Sequence, residues 1–226
     1  MEDSPVGNIV TFLEDISKRG LQCNYILDVG AHLTYWSRTA KSVFNDSTFY
    51  LIEPLFEMEN ELKKFCDEFP GSKYFLNGAG PREETLSLTV STYLPEANFV
   101  ICPDEYDNPD FKRREIKIIT LDSLVTKNEI KIPELVKLDV QGFELEALKG
   151  AGSFFGVTEI FILEISLFKF YRNTPTFSEV VNFMDEKGYD VYDFAGFLRR
   201  PYDGALGQTD VCFVKKNGIL KSSLEW

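Results

Sequence analysis

Segments with the patterns of strands and of helices alternate along most of this 226-residue chain. Short apolar runs at residues 25–29, 48–52 and 135–140 are typical of buried strands, and each is followed by a segment with apolar residues at helical spacing. Parallel strands need a crossover connection, which is usually a helix. The alternation therefore predicts a doubly wound α/β fold with a mostly parallel sheet.

The two ends of the chain extend this prediction. Strand patterns at 189–194 and 210–214 have no helical pattern between them, so we expect an antiparallel hairpin at one edge of the sheet. Apolar residues at helical spacing within 6–19 predict an amphipathic helix, which would form a helical cap over residues 1–22. We expect residues 1–226 to form a single domain.

Residues 91–114 do not fit the alternation. Apolar residues alternate just before them at 86–90, and a strand pattern resumes at 116–119, but the segment between holds three prolines and four aromatic residues among polar ones. A loop of this length is usually functional or disordered. Two hypotheses stay open, a lid whose aromatic rings stack on a bound sugar and a disordered insertion.

The charge of the chain limits its partners. Acidic residues outnumber basic ones by 36 to 24, and the net charge of −12 would repel a nucleic-acid backbone or an anionic membrane surface. We therefore expect no nucleic-acid partner.

We also expect no membrane insertion and a cytoplasmic location. The sequence shows neither a signal peptide nor a long apolar span, and its four cysteines form no CxxC pair.

Polar residues follow several predicted strands. Asp28 and Gly30 end the first strand, Glu53 follows the second, and Asp139 lies in a later one. Ligands of doubly wound folds bind beyond the carboxyl ends of the strands, where an acid about 20 residues after the first motif binds the ribose of a nucleoside cofactor. Glu53 lies 25 positions after Asp28. The small residues Gly30 and Ala31 would let a cofactor approach the backbone, and amides of the next helix would receive its carboxylate.

The chain has no GxGxxG motif, which a pyrophosphate-containing dinucleotide normally requires. A nucleoside cofactor without phosphates fits the pattern better. Each feature taken alone is also compatible with an ordinary turn or a solvated strand end. Asp139 is harder to explain structurally, because a carboxylate next to an apolar strand is costly unless it is paired, solvated or functional.

Several motifs in chain order resemble those of the FkbM family of methyltransferases. They are DVGAH with Ser37 five residues later, the pair Glu53 and Pro54, the segment TLDSL, and VKLDVQGFELEALKGA. The resemblance implies a Rossmann-like class I methyltransferase fold, with a seven-stranded sheet whose last strand is antiparallel. It also implies S-adenosylmethionine as the methyl donor and O-methylation of a hydroxyl, often on a sugar or a natural product.

The resemblance also assigns residues to the cofactor by position. The implied cofactor-binding residues are Asp28, Gly30, Ala31, Ser37, Glu53, Asn77, Gly78, Ala79 and Asp139. Among them, Glu53 would bind the ribose, the segment from Asn77 to Ala79 would face the adenine, and Asp139 would lie beneath the methyl group and the acceptor. The sequence departs from the family at His32 and Thr34, where asparagine and glycine are usual, and at Gln141, where glutamate is usual.

Three residues are candidates for a catalytic base. Asp139 ranks first and His32 second, since a histidine titrates near pH 7; Glu164, at the end of the following strand, is the third. Asp139 and Glu164 could instead share a divalent metal ion, and the sequence does not decide between these roles.

The sequence leaves two other functions open. One is a non-catalytic cofactor-binding module, and the other is a dinucleotide-dependent oxidoreductase, which the missing glycine motif disfavours.

Overall fold

A computed structural model describes residues 5–91, 99–100, 111–170 and 174–223. The strands are β1 (Tyr25–Val29), β2 (Thr48–Ile52), β3 (Lys73–Phe75), β4 (Gly78–Ala79), β5 (Glu84–Ser91), β6 (Phe99–Val100), β7 (Phe111–Ile119), β8 (Leu135–Leu138), β9 (Ile160–Ser166), β10 (Tyr189–Arg199) and β11 (Leu206–Lys215). The α-helices are α1 (Ile9–Lys18), α2 (Tyr35–Val43), α3 (Glu59–Glu68), α4 (Leu121–Thr126), α5 (Glu144–Lys149) and α6 (Phe177–Glu186). Three short 3₁₀ turns are Phe56–Met58, Gly152–Phe154 and Ile219–Lys221.

The larger sheet has seven strands in the order β10-β11-β9-β8-β1-β2-β3. All neighbours pair in parallel except around β11, which runs antiparallel to both β9 and β10. The predicted parallel sheet with a reversed last strand is therefore confirmed, as is the hairpin at its edge. The chain builds outward from β1 to β3 and then returns to β8 on the other side, so the strand order reverses between β1 and β8.

Helices cover both faces of this sheet. The first half of the chain supplies α1, α2 and α3, whose Leu13, Ala40 and Phe65 pack on one face. The second half supplies α4, α5 and α6, and Leu148 and Met184 pack on the other face. Full burial of one such large apolar side chain stabilises the fold by about 1.5–3 kcal/mol. None of the helices in the described part of the chain is long and apolar enough to cross a membrane.

A second, four-stranded sheet was not predicted. Its order is β4-β7-β5-β6, with β5 and β7 paired antiparallel along their length. Its apolar side faces the segment after β2, where Leu55 packs against Leu88, Ile116 and Ile118. This sheet therefore extends the molecule next to the carboxyl end of β2.

The predicted loop over residues 91–114 is wrong at both of its ends and near its middle. Ser91 closes β5, residues 111–114 belong to β7, and residues 99–100 pair with β5 as β6. The charged sequence FKRRE hid the strand, because four consecutive charged residues show no alternation, and it is the pairing with β5 that makes this segment a strand. The rest of the segment, and the lid hypothesis attached to it, lies outside the described residues.

Candidate functional site

The carboxyl ends of the central strands form one row of residues. Val29 pairs with both Ile52 and Leu138, Leu138 pairs with Leu163, and Glu164 pairs with Asp210. The residues that follow Ile52, Val29, Leu138 and Leu163 are therefore level with one another, and Asp210 is level with Glu164, its partner. Side chains at this level leave the sheet on the same face. In spatial order the row reads Glu53, Gly30, Asp139, Glu164 and Asp210; we call its four acids the carboxylate row.

Gly30 lies between Glu53 and Asp139 in the row and has no room for a side chain. Its φ is +83°, and a Cβ atom would lie 1.9 Å from the backbone oxygen of Asp139. The amides of Gly30 and Ala31 both donate to the carbonyl of Ile52, at 2.9 and 3.1 Å. The turn is thus held between β2 and β8, and the close approach of the Asp139 carbonyl requires a glycine there.

A buried ion pair lies beneath the turn. Asp28 pairs with Lys137 across β1 and β8, and the Lys137 Nζ is 3.6 Å from Asp28 Oδ1 and 3.1 Å from Asp139 Oδ2. Ser37 donates to Asp28 Oδ2 at 2.5 Å. Burial raises the pKa of Asp28, and Lys137 and Ser37 only partly oppose this. Burial alone would lower the pKa of Lys137, but the carboxylates of Asp139 and Asp28 reverse that and raise it.

Glu53 is almost fully buried, with 4% of its surface exposed. Its Oε2 accepts the amide of His32 at 3.0 Å, and its Oε1 accepts the amide of Leu55 at 2.9 Å. Burial raises its pKa to about 7 although both amides favour the charged form. Each oxygen keeps a lone pair, so the carboxylate can still accept the protons of two neighbouring hydroxyl groups.

Gln141 joins the two acids at the middle of the row. Its Nε2 donates to Asp139 Oδ1 and to Glu164 Oε2, each at 2.8 Å. Gln208, on β11, donates to the same oxygen of Glu164 at 2.8 Å. The backbone turn below is held by Glu144, whose Oε1 accepts the amides of residues 140 and 142.

These contacts shift the pKa values of the Asp139 and Glu164 carboxyl groups in opposite directions. Burial would raise the pKa of Asp139, but the charge of Lys137 and the hydrogen bond from Gln141 lower it overall. Burial and the nearby charge of Asp139 raise the pKa of Glu164. Around neutral pH, Asp139 is therefore ionised and Glu164 retains its proton.

The profile of the methyltransferase FkbM domain matches residues 28–191, which include all of this arrangement except Asp210 and Gln208. The chain belongs to the FkbM methyltransferase family. No curated protein matches it.

Solved structures support the same fold. A methyltransferase FkbM from Methylobacillus flagellatus KT superposes with a TM-score of 0.56 at 17% identity, over 92% of this chain and 48% of that one. The fibrillarin pre-rRNA processing protein of Methanococcus jannaschii superposes with a TM-score of 0.53 at 15% identity, over 86% of this chain and 67% of that one. The chain thus spans about half the length of the FkbM structure, and at these identities the likeness concerns the fold alone.

The three positions that depart from the family motif share a left-handed backbone conformation. His32 and Thr34 have φ values of +43° and +64°, and Gln141 has +55°. Asparagine and glycine, usual at the first two positions in the FkbM family, are the residues that best tolerate this left-handed region. The chain therefore accepts about 1–2 kcal/mol of strain at a position such as Thr34.

His32 and the segment from Asn77 to Ala79 are the remaining predicted residues. The backbone of His32 contacts Glu53, whereas Asp139 and Glu164 share Gln141. Gly78 and Ala79 are buried in β4, and a Cβ at Gly78 would lie 2.6 Å from the Ile118 side chain. The Asn77 side chain donates to the carbonyl of Lys117 at 3.4 Å.

A metal ion shared by Asp139 and Glu164 does not fit this donor set. The amide group of Gln141 already lies between the two carboxylates and donates to both. Among the residues that the structure describes, no three or more His, Cys, Asp or Glu side chains are grouped to hold a metal ion. Gln141 thus forms the bridge that a shared cation would form in the alternative hypothesis.

Sequence reasoning missed four contributors. Lys137 had a visible signal, because a lysine in the apolar strand VKLDV must be paired. Gln141 was noticed only as a departure from the family. Gln208 and Asp210 had no local signal, since they join the row through β11, which pairs with β9 from more than 40 residues away.

Proposed function

We propose that the protein is an S-adenosylmethionine-dependent O-methyltransferase acting on a hydroxyl of a sugar or another natural product. The observation that carries this proposal is the position of Glu53 and Asp139 on either side of Gly30, level with it in the sheet. Glu53 can accept hydrogen bonds from ribose hydroxyls, and the ionised Asp139 can accept a proton. The two acids thus lie on either side of the turn at Gly30. This proposal rests on membership of the FkbM methyltransferase family as well.

The residues around the turn fit the parts of this cofactor. Asp28 is fully buried and already paired with Lys137, so in this proposal it supports the site of the methionine moiety from below the turn and not by direct contact. The first amides of α2 would receive the carboxylate. Glu53 would hold the ribose, and the segment from Asn77 to Ala79 would face the adenine. Ser37 would act by fixing Asp28, to which it donates a hydrogen bond.

Asp139 is the proposed base. When bound, S-adenosylmethionine supplies an electrophilic methyl group on a sulfonium. Asp139 takes the proton of the acceptor hydroxyl as the oxygen attacks, and its side chain is 30% exposed, so a hydroxyl can reach it. Lys137 and Gln141 hold the carboxylate in one orientation, which is the positioning that an in-line displacement needs. Glu164 retains its proton and is less suited to this task, and His32 is the second candidate.

We further propose a small-molecule or glycan acceptor, no nucleic-acid partner, no membrane insertion and a cytoplasmic location. The net charge of −12 supports this choice, because it disfavours polyanionic partners. The scattered cysteines support a reducing compartment.

Calorimetric titration with S-adenosylmethionine and S-adenosylhomocysteine tests the proposal. We expect Glu53→Ala to weaken binding of both by about tenfold or more, the loss of at least one charge-assisted hydrogen bond. Asp139→Asn should leave both affinities within about threefold and reduce methyl transfer by about 100-fold or more. Glu61→Ala, on the partly exposed side of α3, is the matched control and should change neither.

Two outcomes would favour the rival functions. Wild-type protein that binds both cofactor forms but transfers no methyl group to any hydroxyl compound would support a non-catalytic module. Binding of reduced NAD without binding of S-adenosylmethionine would support an oxidoreductase.

A further inference from the structure

A pocket of about 390 Å³ adjoins the carboxylate row. The start of α1, the ends of β9 and β10 and the start of β11 form it, and Glu164 and Asp210 of the row line it. Its volume falls in the range of small-molecule sites, about 300–1,000 Å³. The pocket thus lies at the end of the row opposite Glu53.

The pocket is connected to the proposed base by one side chain. Glu164 lines the pocket, and the amide of Gln141 joins it to Asp139 with 2.8 Å contacts on both sides. Glu164 and Asp139 are also level on adjacent parallel strands, because Leu138 pairs with Leu163. A ligand in the pocket would therefore present its nearest group to the Asp139 end of the row.

The polarity of the lining selects the ligand. Two carboxyl groups, Glu164 and Asp210, line the pocket together with the amides of Asn8 and Gln208, and no Lys, Arg or His is among its described lining residues. Within the described part of the chain, no side chain or amide donates a hydrogen bond to the Asp210 carboxyl group. A partly buried carboxyl group needs such donors, and a ligand with hydroxyl or ammonium groups would supply them.

Two further residues shape the cavity. A Cβ atom at Gly196 would lie 2.3 Å from Asp210 Oδ2, so this glycine keeps space beside the carboxyl group. Phe197, next to it on β10, lines the pocket and is 49% exposed, which offers an apolar ring to the carbon face of a sugar.

We propose that this pocket binds the methyl acceptor, and that the acceptor is a polyhydroxylated ring without an anionic group, bound more tightly when it carries an amine. The inference rests on the proposed methyltransferase function and specifies its substrate class. Phosphorylated or carboxylated sugars are excluded because each would bring a negative charge against Asp210 without a compensating cation among the described lining residues.

Saturation-transfer NMR on protein saturated with S-adenosylhomocysteine tests the pocket, with glucosamine, methyl glucoside and glucose 6-phosphate as probes. We expect glucosamine to bind at least threefold more tightly than methyl glucoside at pH 7, and glucose 6-phosphate not to bind. Asp210→Asn should remove the preference for the amine, and Gly196→Ala should weaken both neutral and amino probes. Asp190→Asn is the matched control, since this residue lies at the far end of β10 and pairs with Lys221.

Separate readouts distinguish the inference from the function on which it rests. Variants that keep S-adenosylhomocysteine affinity and melting temperature but lose sugar binding support the acceptor pocket. The inference is overturned if glucose 6-phosphate binds as well as methyl glucoside, if no probe binds, or if Asp210→Asn leaves the ranking unchanged. Failure of the wild-type protein to bind S-adenosylhomocysteine would instead overturn the proposed function.

Discussion

The two halves of the carboxylate row are held in different ways. In the half built by β1 and β2, Glu53 is fixed by the backbone amides of His32 and Leu55. In the half built by β8, β9 and β11, Glu164 is fixed by the side chains of Gln141 and Gln208. Backbone donors depend little on residue identity, whereas side-chain donors change with each substitution. The first half therefore suits a constant cofactor, and the second half suits an acceptor that differs between proteins.

Lys137 links the halves, and its removal should have the largest effect. Lys137→Met leaves the buried carboxylates of Asp28 and Asp139 without their cation, so we expect the free energy of unfolding to fall by about 3–5 kcal/mol. Urea denaturation measures this. The control is Lys149→Met, which breaks an exposed pair with Glu146 and should cost less than about 0.5 kcal/mol. Equal losses for the two variants would show that the halves are not coupled through Lys137.

Glu53 should make stability depend on pH. Its pKa is raised from 4.5 to about 7 by burial, so the native state binds more protons than the unfolded state between these values. Its contribution therefore lowers stability as pH rises from about 4.5 to 7, by on the order of 3 kcal/mol. We expect Glu53→Gln to be more favourable relative to wild type at pH 8 than at pH 5. Urea denaturation at both pH values checks the slope, and parallel curves would contradict the buried carboxyl group.

Gln141 allows a test confined to the second half. Gln141→Glu, which restores the residue usual in the family, adds a third carboxylate between Asp139 and Glu164. We expect a loss of about 1–3 kcal/mol at pH 8 from like-charge repulsion and a lost hydrogen bond. Three carboxylates also suit a divalent cation, so Mn²⁺ should raise the melting temperature of the variant but not of the wild type. A matching rise in the wild type would mean that its amide does not take the place of a cation.

Thr34 should give the smallest effect, with an opposite sign. Its φ of +64° strains a β-branched residue, and its buried hydroxyl has no hydrogen-bond partner within the described residues. We expect Thr34→Gly to stabilise the protein by about 0.5–1 kcal/mol, because relieved strain outweighs the entropy of a new glycine. Thermal denaturation measures it. Thr39→Gly, inside α2, is the control and should destabilise by a similar amount; a loss in both variants would argue that Thr34 is not strained.

Much of the fold followed from local patterns. The apolar run of β1 and the helical spacing that leads to α2 are both predicted within one or two residues. The sequence FKRRE was misassigned to a loop, because its four consecutive charged residues occupy both faces of β7 and leave no alternating pattern. Its partner β5 precedes it by about 20 residues, so pairing could not be inferred from either segment alone.

By itself, the sequence determined the alternation of strands and helices and the acids that follow the strands, since both patterns depend only on residues that are close in the sequence. It also determined the motif from Lys137 to Gly150, which indicates the family. Only the tertiary structure decided that Glu53, Asp139, Glu164 and Asp210 are level, and that one amide of Gln141 serves two of them. The physical reason is that strand register depends on pairing between distant segments, and one residue of slip would turn each acid to the opposite face of the sheet.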